Sequence, residues 1–265
     1  MLYHLNNIGA SGKDSNSPEA THQVEFEYLS MAKKMKLDDK VNTVSIKPNV
    51  ICIMSEAYCD LDRIRELETS EPVTPYFDKL CNETRNGDLA VSIFGGGTCN
   101  TEFEFLTGYS MSSLLPGSSV YTFYVNHDIE ALPHLFRDNG YRTVALHSFD
   151  GDWWDRREKY PLLGFDEFYT RDDFDPEEVN YVRRYISDMD TFKKITDLYE
   201  QSDDPLFLFC VTMQNHADFS ARYENMNYDI KLNNVLAQDD EHFDYAENYL
   251  SLLRESDDAL EYLIE

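Results

Sequence analysis

Apolar positions along this chain alternate between two periodicities. Asn49-Val50-Ile51-Cys52-Ile53-Met54-Ser55 is an almost unbroken apolar run of strand length, the pattern of a strand covered on both faces. Thr74-Pro75 followed by Tyr76, Phe77 and Leu80 predicts a helix start, with Thr74 as N-cap and Pro75 in the first position. Leu89 to Phe94 predicts a second strand, which runs through Gly95-Gly96-Gly97 into a helix at Thr98. Asp128 to Asn139 predicts a further helix closed by Gly140. Tyr141 to His147 and Leu206 to Met213 read as two more strands, and Asp239 to Glu265 as one long acidic helix with Phe243, Ala246, Tyr249, Leu250, Leu253, Leu260 and Leu263 at approximate helical spacing. Strands alternating with helices in this way predict an α/β fold, a mainly parallel sheet flanked by helices. The pattern stops on a helix where another strand is due, so the fold is expected to be incomplete at its C-terminus. Residues 1–44 form a polar lead-in, with a loop from Gly9 to Pro18 and a helix from Glu19 to Lys36; His4 and His22 within it are expected to be solvated.

The chain has 265 residues, enough to bury a substantial core, and 18 Tyr and 16 Phe mark it as folded. Its formal charge of -27 excludes nucleic acid as the main partner and argues against polybasic attachment to anionic lipid. An anionic substrate must be received by local cations working against that global field. No apolar run reaches the roughly 18 residues of a membrane span, and Met1 to Ala10 lacks the features of a signal peptide, so the chain itself is expected to be soluble. None of the five cysteines forms a CxxC motif; Cys52 and Cys210 lie in strand-like runs as small buried hydrophobes.

Candidate chemistry gathers at the ends of the predicted strands, where α/β proteins place their ligands. Glu56 follows the first strand and suits a hard divalent cation. Thr98 fits two roles: an ordinary helix N-cap, or a phosphoryl-transfer nucleophile at a helix N-terminus where backbone N–H groups favour anions. His147 ends another strand and is followed by Trp153-Trp154-Asp155-Arg156, a combination that can grip a phosphate through Arg and a His hydrogen bond while a Trp packs on the rest of the ligand. One of the two tryptophans is expected to be a core anchor. His216, in Gln214-Asn215-His216, follows the last strand, so four strand ends are expected to converge on one edge.

The order Pro48-Asn49-Val50-Ile51 to Glu56, Thr74-Pro75-Tyr76-Phe77-Asp78-Lys79-Leu80 and Gly97-Thr98-Cys99-Asn100-Thr101-Glu102-Phe103 resembles lipoteichoic acid synthases and related phosphoglycerol transferases of the sulfatase and alkaline phosphatase superfamily. The resemblance continues through His147, Trp154, Arg156, Tyr160, Leu163-Gly164-Phe165-Asp166 and Asn215-His216, so that residues 45–265 read as the N-terminal part of a sulfatase-like catalytic domain. It implies Glu56 and Thr98 as ligands of Mn2+ or Mg2+, Thr98 also as nucleophile, and His147, Trp154, Arg156 and His216 around a glycerophosphate group. The implied donor is phosphatidylglycerol, and the implied acceptor a glycerol-phosphate polymer or glycolipid. It further implies a parent protein attached to the bacterial membrane, with its catalytic domain on the extracellular face. Cys99 lacks the Cys-x-Pro-x-Arg context of cysteine sulfatases. The family's later Asp-His metal pair is missing: His127-Asp128 has the reverse order and Glu241-His242 lies in the acidic helix. The metal site is therefore expected to be incomplete and the isolated chain weakly active or inactive. A phosphodiesterase or phosphatase of the same superfamily, and a non-catalytic domain binding glycerophosphate or teichoic acid, are the alternatives.

Overall fold

The computed structural model describes residues 47–60, 67–233 and 243–265. The lead-in segment with its Glu19 to Lys36 helix, His4 and His22 lies outside the described residues, as do Asp239 to His242.

Three apolar-rich runs become parallel strands, and the central one is apolar throughout because a strand covered on both faces has no solvent side to keep polar. They are β1 (Val50–Met54), β2 (Arg142–His147) and β6 (Leu206–Val211); β3 (Glu167–Thr170) completes a parallel sheet of order β1-β6-β2-β3. Between β3 and β6, β4 (Tyr181–Val182) and β5 (Tyr185–Ile186) form a separate antiparallel pair. The central strand β6 shows the period-two logic directly. Phe207, Phe209 and Val211 enter a core with Phe103, Leu106, Tyr121, Tyr160 and Leu163 on one face. Leu206, Leu208 and Cys210 enter another with Phe192, Ile195, Leu198 and Ala259.

The first face is built by α2 (Thr98–Thr107), α3 (Val120–Phe123), α4 (Leu132–Asp138) and α5 (Arg156–Leu162). The second is covered by α6 (Asp188–Glu200) and the long α7 (Phe243–Ile264), while α1 (Pro75–Glu83) docks on α7.

Several expectations change. Leu89 to Phe94 is not a strand. The ladder partners of β1, β2, β3 and β6 are one another, no described strand lies beside this segment, and Leu89 and Phe94 are 67% and 102% exposed. Thr98 is therefore delivered by a loop rather than by a strand end. The helix expected from Asp128 starts at Leu132. A start at Asp128 would put Pro133 in the helix interior, where it lacks an N–H and clashes with the carbonyl one turn back; in the first turn it costs nothing. Gly140 ends this helix as expected, at φ 76°.

Thr74 sits at the N-cap of α1, but its side chain makes no cap hydrogen bond. The orphan N–H groups of Tyr76 and Phe77 donate instead to the Asp257 carboxylate on α7, at 2.7 and 2.8 Å. Asp257 is fully buried and also accepts from Tyr58. Asp257→Ala is expected to cost about 2–3 kcal/mol in urea unfolding, against about 1 kcal/mol for an ordinary exposed cap. A cost no larger than that of Thr74→Ala would show that the remote cap is not what holds α1.

Candidate active site

Five segments converge above the carboxyl ends of β1, β2 and β6. Glu56, two residues beyond β1, is held by its own backbone N–H, which donates to Thr212 Oγ1 just beyond β6 at 3.0 Å. Gly95, Gly96 and Gly97 all adopt positive φ, 63°, 67° and 64°, a run that side chains with a Cβ rarely enter. That turn ends with Gly97 as the N-cap of α2, so Thr98 is the first helical residue and is not the cap. Its Oγ1 instead donates a long 3.4 Å hydrogen bond to Glu56 Oε2. Glu56, Thr98, His147, Phe149, Trp153, Trp154, Arg156, Val211, Met213 and His216 line one cavity, so all six residues singled out from the sequence meet there.

Burial holds the Glu56 carboxyl above the usual range, against the pull of His216 and the Thr98 hydrogen bond. Its oxygens and the Thr98 hydroxyl are hard donors of the kind Mg2+ and Mn2+ take, and 3.4 Å lies within the span of two ligands each about 2.1 Å from one ion. They fit such an ion in chemistry and spacing, and they supply about two of its six ligands. Among the described residues no group of three or more His, Cys, Asp or Glu could hold a metal.

His147 is buried, with Nδ1 2.9 Å from the Val211 carbonyl. A carbonyl only accepts, so Nδ1 carries the proton and Nε2 keeps its lone pair. Burial, with the nearby Arg156 charge, lowers His147 to about 4. His147 is thus neutral at neutral pH and meets a ligand as an acceptor. The hydrogen bond expected from it to a phosphate is replaced by one it can take from a hydroxyl or water. The linkage has a definite sign. Between about pH 6.5 and 4 the unfolded state binds the proton that the folded state refuses, so this group lowers stability as pH falls through that window, by on the order of 2–3 kcal/mol in all. Asp188, which burial pushes up to about 6, acts in the opposite sense over the lower part of the window. The His147 contribution is therefore read as the difference between wild type and His147→Gln in urea unfolding at pH 7 and pH 4.5. An equal pH dependence in the two proteins would overturn it.

Arg156 departs from the free phosphate clamp expected of it. Its Nε and Nη2 edge grips the fully buried Glu102, with Nη2 to Oε1 at 2.5 Å and Nε to Oε2 at 3.1 Å. Nη1 donates to the Trp153 carbonyl at 3.4 Å. The Tyr160 hydroxyl is a further partner of the guanidinium, so most of its N–H groups are engaged by the protein itself. Burial pushes Glu102 up, but Arg156 and the Tyr160 hydroxyl outweigh it and hold the carboxyl below its usual range. Trp154 and Asp155 turn through positive φ, 60° and 58°, and neither tryptophan is a core anchor: Trp153 is 52% and Trp154 36% exposed. Cys99 faces the core, where burial pushes its thiol up to about 11, so it is no nucleophile at neutral pH.

The loop bearing the half-buried His216 is pinned from below by Arg183, to which the sequence assigned no part. Its guanidinium donates to the carbonyls of Gln214, His216 and Asp218 at 2.6, 2.7 and 2.6 Å. Asn215 donates to Ser256 Oγ on α7 at 2.8 Å. Glu102 had a legible signal, an acid one turn into a helix among apolar neighbours; Arg183, in a polar stretch, had none.

A parallel α/β sheet with this threonine, carboxylate and cation set at its carboxyl edge defines a sulfatase-like domain. The sulfatase family profile matches residues 48–265, and the chain belongs to the sulfatase family. Among its relatives are a Rhizobium meliloti protein named for cyclic beta-1,2-glucan modification, 32% identical over 219 residues, and lipoteichoic acid synthase 2 of Bacillus subtilis, 28% identical over 149 residues. These alignments cover 83% and 56% of this chain but 33% and 23% of the relatives, so the chain spans about a third of their length or less. A Streptococcus pyogenes phosphoglycerol transferase solved with sn-glycerol-1-phosphate matches the fold at TM-score 0.73 and 24% identity, over 96% of this chain and 66% of that one. A Listeria monocytogenes lipoteichoic acid synthase matches at TM-score 0.67 and 22% identity, over 82% and 51%.

Proposed function

We propose that this chain carries the nucleophile side of a phosphoglycerol transferase site, acting on phosphatidylglycerol through a phosphoglyceryl ester of Thr98. The observation that supports this best is the meeting of Glu56, Thr98, His147, Trp154, Arg156 and His216 in one cavity. Thr98 Oγ1 attacks phosphorus, the bond from phosphorus to the diacylglycerol oxygen breaks and that oxygen takes a proton from solvent, while the Thr98 hydroxyl proton leaves along the hydrogen bond to Glu56 Oε2 and from there to solvent. His216 and the Arg156 guanidinium hold the phosphoryl oxygens, Trp154 packs on the glyceryl carbons, and His147 Nε2 accepts from a glyceryl hydroxyl. Glu56 and Thr98 would hold in part a hard divalent cation, Mn2+ or Mg2+, which would supply Lewis-acid polarisation of the Thr98 hydroxyl. A hydroxyl of the acceptor then takes the group from Thr98.

A lipid donor sets this chemistry at a membrane surface, and we infer the extracellular face of a bacterial membrane for the parent protein. Among the described residues no helix is long and apolar enough to cross a membrane. The test is intact mass spectrometry after incubation with a short-chain phosphatidylglycerol and Mn2+. A phosphoglycerol-sized gain supports the reading, and its resolution by glycerol faster than by water separates transferase from phosphodiesterase. A folded protein that binds glycerophosphate and gains no mass would instead be a binding domain.

A further inference from the structure

A buried carboxylate beside the turn that carries His216 takes no part in the transfer itself. Asp188 opens α6 and is fully buried. The helix does not need it as a cap, because Ser187 holds that position and its Oγ accepts from the Asp190 N–H at 3.0 Å. Among the described residues no cation pairs with it: Oδ2 accepts from Ser256 Oγ at 2.6 Å, and Oδ1 closes no direct hydrogen bond. The Gln214 N–H and the Thr212 hydroxyl lie near enough to favour the charged form, but burial outweighs them and pushes the carboxyl up to about 6. It is therefore ionised at neutral pH. A buried charge without a counter-ion is costly, so the use made of it is informative.

A carboxylate only accepts, and this fixes the polarity of the hydroxyl bonded to it. Ser256, on α7, must give its proton to Asp188, which leaves both of its lone pairs for donors. They are taken by the side-chain amides of Asn215, at 2.8 Å, and Gln214, at 3.2 Å. Gln214 Oε1 in turn accepts from the Asp188 backbone N–H at 2.8 Å, which closes a ring through α6, α7 and the turn after β6. Asp188, Gln214, Asn215 and Ser256 are each at most 3% exposed, so bulk water does not compete for these bonds. His216 is the next residue along that turn, and its N–H donates to the Met213 carbonyl at 3.0 Å.

We infer that Asp188 is a positioning residue for His216: it sets the direction of the Ser256 hydroxyl, and through it the Asn215 amide, so that the turn presents the imidazole to the cavity. The inference rests on the transfer site proposed above, in which His216 holds a phosphoryl oxygen. Arg183 grips the backbone carbonyls of this turn, whereas the Asp188 ring grips its side-chain amides, so the two constraints differ in kind. Misplacing a group that meets the transition state by about 1 Å lowers a rate by up to about a hundredfold.

The experiment is proton–carbon correlation spectroscopy of the histidine Cε1–H groups in the full chain and in its Asp188→Asn and Ser256→Ala variants. The His216 signal is assigned by its loss from His216→Gln. Asn keeps the shape of Asp188 but sets an NH2 against one of the surrounding donors, and Ser256→Ala keeps the charge but cuts the link. The His216 signal is expected to move by more than its linewidth in both variants, while that of the exposed His127 stays in place. Formation of the Thr98 adduct from short-chain phosphatidylglycerol, followed in parallel by intact mass, is expected to slow at least about tenfold in both. A His216 signal unmoved in Ser256→Ala overturns the inference, whatever Asp188→Asn does, since a shift in Asp188→Asn alone reports the lost charge. Moved signals with an adduct rate equal to that of the unaltered chain also overturn it, because the ring would then serve the fold only. No adduct in any of the proteins sinks the transferase reading and leaves the His216 signal to decide the positioning.

Discussion

Thr98→Ala is expected to remove the phosphoglyceryl adduct and to lower diacylglycerol release by at least about three orders of magnitude, while leaving stability within about 0.5 kcal/mol of wild type. The two halves of this result separate the roles open to this residue. Had Thr98 capped its helix, its loss would cost about 1 kcal/mol. Gly97 occupies the cap, the Thr98 side chain bonds to Glu56 on another element, and Ala is the best helix former at an ordinary helical position. Thr98→Ser keeps an attacking oxygen and is expected to restore the adduct at a reduced rate. Release of diacylglycerol by Thr98→Ala at the wild-type rate would end the covalent mechanism.

Glu102→Leu is expected to cost about 3–5 kcal/mol in urea unfolding, the largest stability loss available at the site. Glu102 is fully buried and accepts from Arg156, from Tyr160 at 2.8 Å and from Tyr121 at 3.3 Å. Removing it strands the Arg156 guanidinium, only 3% exposed, with no counter-charge. The double variant Glu102→Leu, Arg156→Met is expected to recover much of the loss, because two charges leave the interior together. Its transfer activity should stay low, since Arg156 also lines the cavity. The carboxyl is held below its usual range, so its contribution is full above about pH 4.5 and fades as pH falls through the lowered value. A double variant as unstable as the sum of the two singles would show that the pair is not what couples them.

The legible parts of the fold were those written in local pattern. β6 was readable because a strand buried on both faces must be continuously apolar, β1 and β2 because they carry similar apolar runs although β1 is the half-exposed edge of the described sheet, and α7 because its apolar residues keep helical spacing. Glu56, His147 and His216 could be named because a parallel sheet collects its strand ends on one edge, whereas Thr98 reaches the same edge on a loop and not on the strand expected before it. Hydrophobic pattern alone misjudged Leu89 to Phe94, since an apolar run becomes a strand only when a neighbour takes its backbone hydrogen bonds, and in the described sheet none does.

Partners distant in sequence were decided by the tertiary structure. Asp257 caps a helix that begins some 180 residues earlier, Glu102 closes on Arg156 54 residues away, and Arg183 reaches over to hold the His216 loop. In the acidic helix α7, Glu247 and Glu255 are buried, with Lys231 and the Leu232 N–H on the first and the Asn227 N–H on the second. Amino-acid type and spacing determined which segments become helix or strand and which residues carry chemistry. Which charge meets which, and therefore that His147 is neutral and Arg156 largely engaged, depends on burial and pairing that arise only when distant segments pack and exclude water.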